Sequence, residues 1–183
     1  MSAALIVIDM MNGSFRGWAD DARDRLVRNV NVLAAGLRNA GAPVIWVRQE
    51  FAEDMHDAFL EARDKKVRAY VRGTADCQLL ATLDVHPDDE MLVKKRYSAF
   101  FGTDLDARLA RLAPSRLVIA GVNTHACIRM TAIDAYQRDW RVILAADCVA
   151  SHDRTHHETS MAYMNGKIGT ALETPAILQL VQA

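Results

Sequence analysis

Little in this 183-residue chain points to a disulfide scaffold, a membrane or a nucleic acid. Its three cysteines, Cys77, Cys127 and Cys148, cannot all pair with one another, and none forms a Cys-x-x-Cys spacing. That argues against a disulfide framework and against a cysteine zinc site. The 22 basic and 23 acidic residues leave a formal net charge of −1, so no excess of positive charge favours nucleic acid or an anionic membrane. No apolar stretch is long enough to span a bilayer. The first apolar run, 4–8, has no basic region before it and is ended by Asp9, too early for a signal peptide. There is no internal repeat, low-complexity segment or linker. Asn12-Gly13-Ser14-Phe15-Arg16-Gly17 matches neither the dinucleotide nor the Walker pattern of phosphate-binding loops. These absences predict one domain over 1–183 in a reducing, cytoplasmic setting, with a small molecule rather than nucleic acid or membrane as its partner.

What is present is an alternation of short apolar runs with helical periods. The runs lie at 4–8, 44–47, 91–93, 117–120 and 142–145, with a weak sixth at 168–172. Between the first two, Leu26, Val30, Leu33 and Leu37 recur at helical spacing, and Gly41 and Pro43 close the helix. Leu105, Leu109 and Leu112 mark a second helix. Further helices are predicted over 128–138, from a Ser151 or Asp153 cap to about 164, and from Thr174-Pro175 onward. Residues 48–88 read as a helical piece plus a long connection, and long connections often carry function. The alternation predicts an α/β fold: a three-layer, Rossmann-like arrangement with a six-stranded, mostly parallel sheet and helices on both faces.

In such sheets ligands bind beyond the carboxyl ends of the strands. Asp9 follows the first run, Lys94 the third and Cys127 the fourth, so all three fall at that end. Each has a bland reading alone. Asp9 is a turn residue, Lys94 belongs to the charged run Lys94-Lys95-Arg96, and a free cysteine is by default a small buried hydrophobe. Strand alternation turns Lys95 away from the side that Lys94 takes. Cys127 stands where a strand gives way to a helix, and a helix N-terminus favours the thiolate. Three such groups at three strand ends make the bland readings jointly improbable.

The same segments resemble the isochorismatase-like cysteine hydrolases. The resemblance rests on Leu5-Ile6-Val7-Ile8-Asp9-Met10, on Lys94-Lys95-Arg96-Tyr97-Ser98-Ala99-Phe100, and on Gly121-Val122-Asn123-Thr124-His125-Ala126-Cys127. Asp134-Ala135-Tyr136 and Asp147-Cys148-Val149-Ala150-Ser151 extend it downstream. It implies a catalytic triad of Asp9, Lys94 and Cys127, an oxyanion hole from the N–H groups of Asn123 and Cys127, and a cis peptide between Val122 and Asn123. It implies hydrolysis of a C–N bond in a small amide, ureide or carbamoyl compound through a thioester, with no cofactor, in a homodimer or homotetramer. The alternative is a catalytically silent member that binds a small molecule or acts as a scaffold.

Departures from the family pattern narrow the substrate. Where nicotinamidase-type members carry an Asp-x-His metal motif this chain reads Arg48-Gln49-Glu50, which argues against a bound metal and against nicotinamide. Met11-Asn12-Gly13-Ser14-Phe15 replaces the usual Gln-Asn-Asp-Phe, and His125 stands where an acidic residue is common. Isochorismatases proper cleave a vinyl ether without a cysteine nucleophile, so Cys127 favours C–N hydrolysis. Phe15, Trp18, Tyr97 and Phe101, with Phe51, are expected to shape an apolar pocket, and Asn123 and His125 to touch the substrate from within the turn. His152 and His156 are one helical turn apart, a metal spacing, yet they read better as parts of a capped helix and its surface. Cys77 and Cys148 read as structural.

Overall fold

A computed structural model describes residues 2–182. Six strands form one parallel sheet: β1 (Ala3–Ile8), β2 (Val44–Gln49), β3 (Glu90–Lys94), β4 (Arg116–Val122), β5 (Val142–Ala150) and β6 (Thr170–Leu172), in the spatial order β3-β2-β1-β4-β5-β6. The helices are α1 (Asp20–Asn39), α2 (Leu60–Asp64), α3 (Leu105–Leu112), α4 (Arg129–Tyr136), α5 (Arg154–Met164) and α6 (Thr174–Gln182). Among the described residues no helix is long and apolar enough to cross a membrane.

All six residues of β1 are buried, as expected of a central parallel strand covered on both faces. Alternation sorts them between two cores. Leu5, Val7, Trp46, Val118 and Ala120 join Val30, Leu33 and Leu37 of α1 and Ile177 of α6 on one face. Ile6, Ile8, Val47, Ile119 and Leu144 join Leu105 and Leu109 of α3, Ala132 of α4 and Met164 of α5 on the other. The order of the strands reverses between β1 and β4, so the segments that leave these two strands diverge and open a crevice.

Two parts of the fold differ from the sequence expectation. The fifth strand runs on to Ala150, because the β4–β5 register slips between Ile119 and Gly121 and pairing resumes at Val149 and Ala150. Cys148 therefore lies within β5 rather than after it. Its Sγ is 3.4 Å from Thr174 Oγ1, and burial pushes the thiol up to about 12. The helix after β4 does not start as an α-helix: residues 124–128 form a π-type turn in which Asn123 O accepts from both Ala126 N and Ile128 N. Such wide turns are frequent at functional sites.

At the opposite end of the sheet, the Asp89 carboxylate accepts from Arg38 Nε and Nη2 at 2.9 and 2.7 Å, from Trp46 Nε1 at 2.8 Å and from His86 N at 2.9 Å. This one side chain ties α1 to β2 and to the turn before β3. Burial opposes its charge, but Arg38, Trp46 and the His86 amide outweigh burial and hold the carboxyl below its usual range. Asp89→Ala is expected to cost about 2–4 kcal/mol at neutral pH by urea unfolding, since it strands Arg38 and Trp46. A depressed folded pKa contributes stability that is present above the unfolded value and lost as pH falls through the folded value. The gap between wild type and variant should therefore shrink below about pH 4.

Candidate active site

Asp9 and Cys127 arise from the two strands that flank the reversal of strand order. Asp9 directly follows β1 with φ 56°, a left-handed conformation, and its N–H donates to Val47 O at 2.8 Å. Asp and Asn adopt this region more readily than most residues. Lys94 starts two strands away, at the end of β3, and its side chain crosses the end of β2. Its Nζ donates to Gln49 Oε1 at 2.7 Å and to Cys127 Sγ at 3.4 Å, and it lies 2.8 Å from Asp9 Oδ2. An ammonium has three hydrogens, and here each meets one acceptor. Lys94 is wholly buried. Lys95 points the other way, to the Glu50 carbonyl and to Asp57 at 3.0 Å. The structure thus brings together the three strand-end residues singled out in the sequence.

The electrostatics of the cluster differ from those of a thiol at a helix N-terminus. Burial, and then the Asp9 charge, push the Cys127 thiol far above its usual range, and Lys94 opposes them without winning. Desolvation works against the Lys94 charge, but the charges of Asp9 and Cys127 outweigh it and hold the ammonium above its ordinary value. The influences on Cys127 favour the thiol over the thiolate. Asp9 Oδ1 is buried and has no hydrogen-bond partner among the described residues.

Asp9 and Cys127 line a cavity of about 350 Å³. One wall is apolar: Phe51, Met55, Phe59, Val67 and Tyr70 from the long connection after β2, with Tyr97 from the turn after β3. The facing wall holds Asn123, His125 and His152. The Val122–Asn123 peptide is cis. His125 Nδ1 lies 2.9 Å from Ser151 Oγ, and Thr124 Oγ1 lies 2.9 Å from His157 Nδ1. Asn123 Oδ1 accepts from His152 N at 3.3 Å. These contacts fasten the turn that carries Cys127 to the junction of β5 and α5, where Asp153 caps the helix by accepting from His156 N at 2.8 Å.

Of the residues expected to contact substrate, Tyr97, Asn123 and His125 line this cavity, as does Phe51. Phe15, Trp18 and Phe101 do not, which corrects that expectation. The short helical turn at 12–15 directs Phe15 into the α1-side core, where it packs on Trp18 with ring centroids 5.0 Å apart. Phe101 follows the buried Phe100 in a turn and is 64% exposed. Sequence reasoning missed Gln49, Met55, Phe59, Tyr70 and His152. Gln49 is 5% exposed, and its Nε2 is a buried donor without a partner among the described residues. Its place beside Lys94 in the β2–β3 register was the one available signal. Glu50 is held by Arg72 at 2.9 Å and Arg48 at 3.3 Å. Among the described residues, no group of three or more His, Cys, Asp or Glu side chains is arranged to hold a metal ion.

The family model of the isochorismatase domain matches residues 3–176. The chain belongs to the isochorismatase family of hydrolases. It is 33% identical to a probable inactive nicotinamidase of Arabidopsis thaliana, over 96% of this chain and 93% of that protein. An isochorismatase family protein from Desulfovibrio vulgaris superposes with a TM-score of 0.89 at 27% identity, covering 99% of this chain and 98% of the other. N-carbamoylsarcosine amidase from Thermoplasma acidophilum gives 0.81 at 28% identity, covering 95% and 97%. The family resemblance drawn from the strand-end motifs therefore holds over nearly the whole chain.

Proposed function

We propose that this isochorismatase-family protein is a cysteine amidohydrolase that cleaves the C–N bond of a small amide, ureide or carbamoyl compound. The observation that carries this reading is the buried Lys94 ammonium set between Asp9 Oδ2 and Cys127 Sγ, two residues that line a cavity. With the three ammonium hydrogens committed to Gln49, Asp9 and Cys127, Asp9 Oδ1 is the acceptor for the thiol proton. Cys127 Sγ attacks the carbonyl carbon as that proton moves to Asp9. The oxyanion faces the N–H groups of Asn123 and Cys127. Asp9 returns the proton to the nitrogen as the C–N bond breaks, leaving a thioester and free ammonia or amine. A water that gives its proton to Asp9 then adds to the thioester carbon. The C–S bond breaks, and the thiolate takes the proton back. Lys94 keeps one positive charge beside the negative charge that Asp9 and Cys127 share, and Gln49 Nε2 is a donor available to a substrate oxygen.

The test is a panel of small amides, ureides and hydroxamates assayed for released ammonia or amine, with Cys127→Ala as the blank. Turnover that vanishes in the blank is expected; turnover that survives there defeats the reading. The second reading, a silent binding protein, draws on the resemblance to a relative named as inactive. Iodoacetamide separates the two. A catalytic site alkylates at Cys127 in preference to the buried Cys77 and Cys148, and Asp9→Asn slows that reaction at pH 7. A silent site shows no such dependence on Asp9.

A further inference from the structure

The cavity combines an apolar wall with the imidazoles of His125 and His152, and a third imidazole, His156, packs against His125. Among the described residues that line it there is no lysine or arginine. Lys94 lies behind the thiol and is matched by Asp9 at 2.8 Å, so the reacting cluster is close to neutral in total. The His125 ring stands 5.4 Å from that of His152 and 5.1 Å from that of His156, centroid to centroid. His125 and His152 line the cavity. Their neighbours are the uncharged Ser151 and Asn123. Among the described residues, negative charge comes to this region from Asp153, 3.9 Å from His156 Nδ1, and from Asp9, which lines the same cavity. Positive charge on either neighbour opposes protonation of His125, because like charges at such range repel.

From this geometry we infer that His125 and His152, the two imidazoles that line the cavity, form a charge filter for the acyl side of the substrate. At neutral pH the filter admits uncharged acyl groups and turns carboxylates away; it takes a carboxylate once one imidazole has gained a proton. The inference rests on the amidohydrolase reading and narrows its substrate class to amides whose acyl part is uncharged. The physical reason is desolvation. A carboxylate entering between Phe51, Phe59 and neutral imidazoles loses its water and finds no cation. Burial, with His152 and His156 as neighbours, holds the His125 imidazole below its usual range, against the pull of Asp153. The neutral form therefore prevails at physiological pH, and the cation appears on acidification.

Iodoacetamide and iodoacetate test this as a matched neutral and anionic pair. Both alkylate Cys127 of the intact chain, and peptide mass spectrometry reads each rate. Each rate is divided by that of glutathione with the same reagent at the same pH. The ratio of the two normalised rates is free of the titration of the Cys127 thiol, which both reagents share. At pH 8 iodoacetamide should be favoured by about tenfold, and the preference should disappear by about pH 5.5. The double variant His125→Gln, His152→Gln should keep the neutral preference at both pH values. A normalised ratio near one at pH 8 overturns the filter, as does a ratio in wild type that does not change with pH. An unchanged pH response in the double variant overturns the assignment to these histidines. Failure of both reagents to modify Cys127 is a different result: it removes the nucleophile itself, and the filter with it.

Discussion

Cys127→Ala is expected to lower amide hydrolysis by about 10⁴-fold or more while the protein stays folded. The side chain is small and buried, and its removal leaves Lys94 its other two acceptors, Gln49 and Asp9. The thermal midpoint should therefore move by only a few degrees. Asp9→Asn is expected to cost about 10³-fold in turnover by a different route. The amide keeps the shape of the side chain but cannot take the thiol proton or return it to the leaving nitrogen. The two variants separate on alkylation. Asp9→Asn should still be alkylated at Cys127 at pH 9, where bulk hydroxide replaces the missing base, whereas its hydrolysis stays lost because no acid serves the nitrogen. If Asp9→Asn regains full hydrolysis at pH 9, Asp9 is not the proton carrier. A variant that loses both alkylation and its circular dichroism signal would instead assign Asp9 to the fold.

The sequence makes the sheet and the three strand-end residues legible for the same reason. Buried parallel strands read as continuous apolar runs, and the residue that ends each run is named by its break in polarity. Asp9 after Ile8 and the turn after Val122 are such breaks. Lys94 is separated from Lys95 by a two-residue period alone, and the two side chains do part, one to Asp9 and Cys127 and one to Asp57. The cavity wall is less legible, because no period governs it. Phe51, Met55, Phe59 and Tyr70 come from a connection held by single contacts: Phe51 N donates to Tyr70 O at 2.8 Å and Arg72 N to Phe51 O at 2.9 Å. An aromatic near a strand end can face either core or cavity. Phe15 and Tyr97 differ in this, and only the local turn decides it. The bulge that carries Cys148 into β5 is hidden likewise, since Asp147 looks like a strand terminator. Instead its carboxylate turns to α6, where Oδ1 accepts from Thr174 N at 2.9 Å.

Gly121→Ala is expected to be the most damaging single methyl that can be added to this chain. Gly121 has φ +110°, and a Cβ there would stand 2.0 Å from Ile8 O and 2.7 Å from Ile8 N. Both obstacles are backbone atoms of the central strand, which cannot rotate aside. Relief requires β1 and β4 to separate at the point where Ile8 pairs with Gly121, one residue before Asp9 and six before Cys127. We expect a loss of about 4 kcal/mol or more, or no folded protein at all. The variant that does fold should have lost hydrolysis, because the added methyl acts on the spacing between Asp9 and Cys127. Gly41→Ala is the control: its φ is +76°, but nothing lies within 4 Å of an added Cβ. It should cost only about 1 kcal/mol, the conformational part alone. Chemical denaturation of both variants checks the comparison. Equal losses would mean that φ rather than the contact with Ile8 sets the penalty, and that β1 and β4 are less rigidly joined beneath Asp9 and Cys127 than their backbone contact requires.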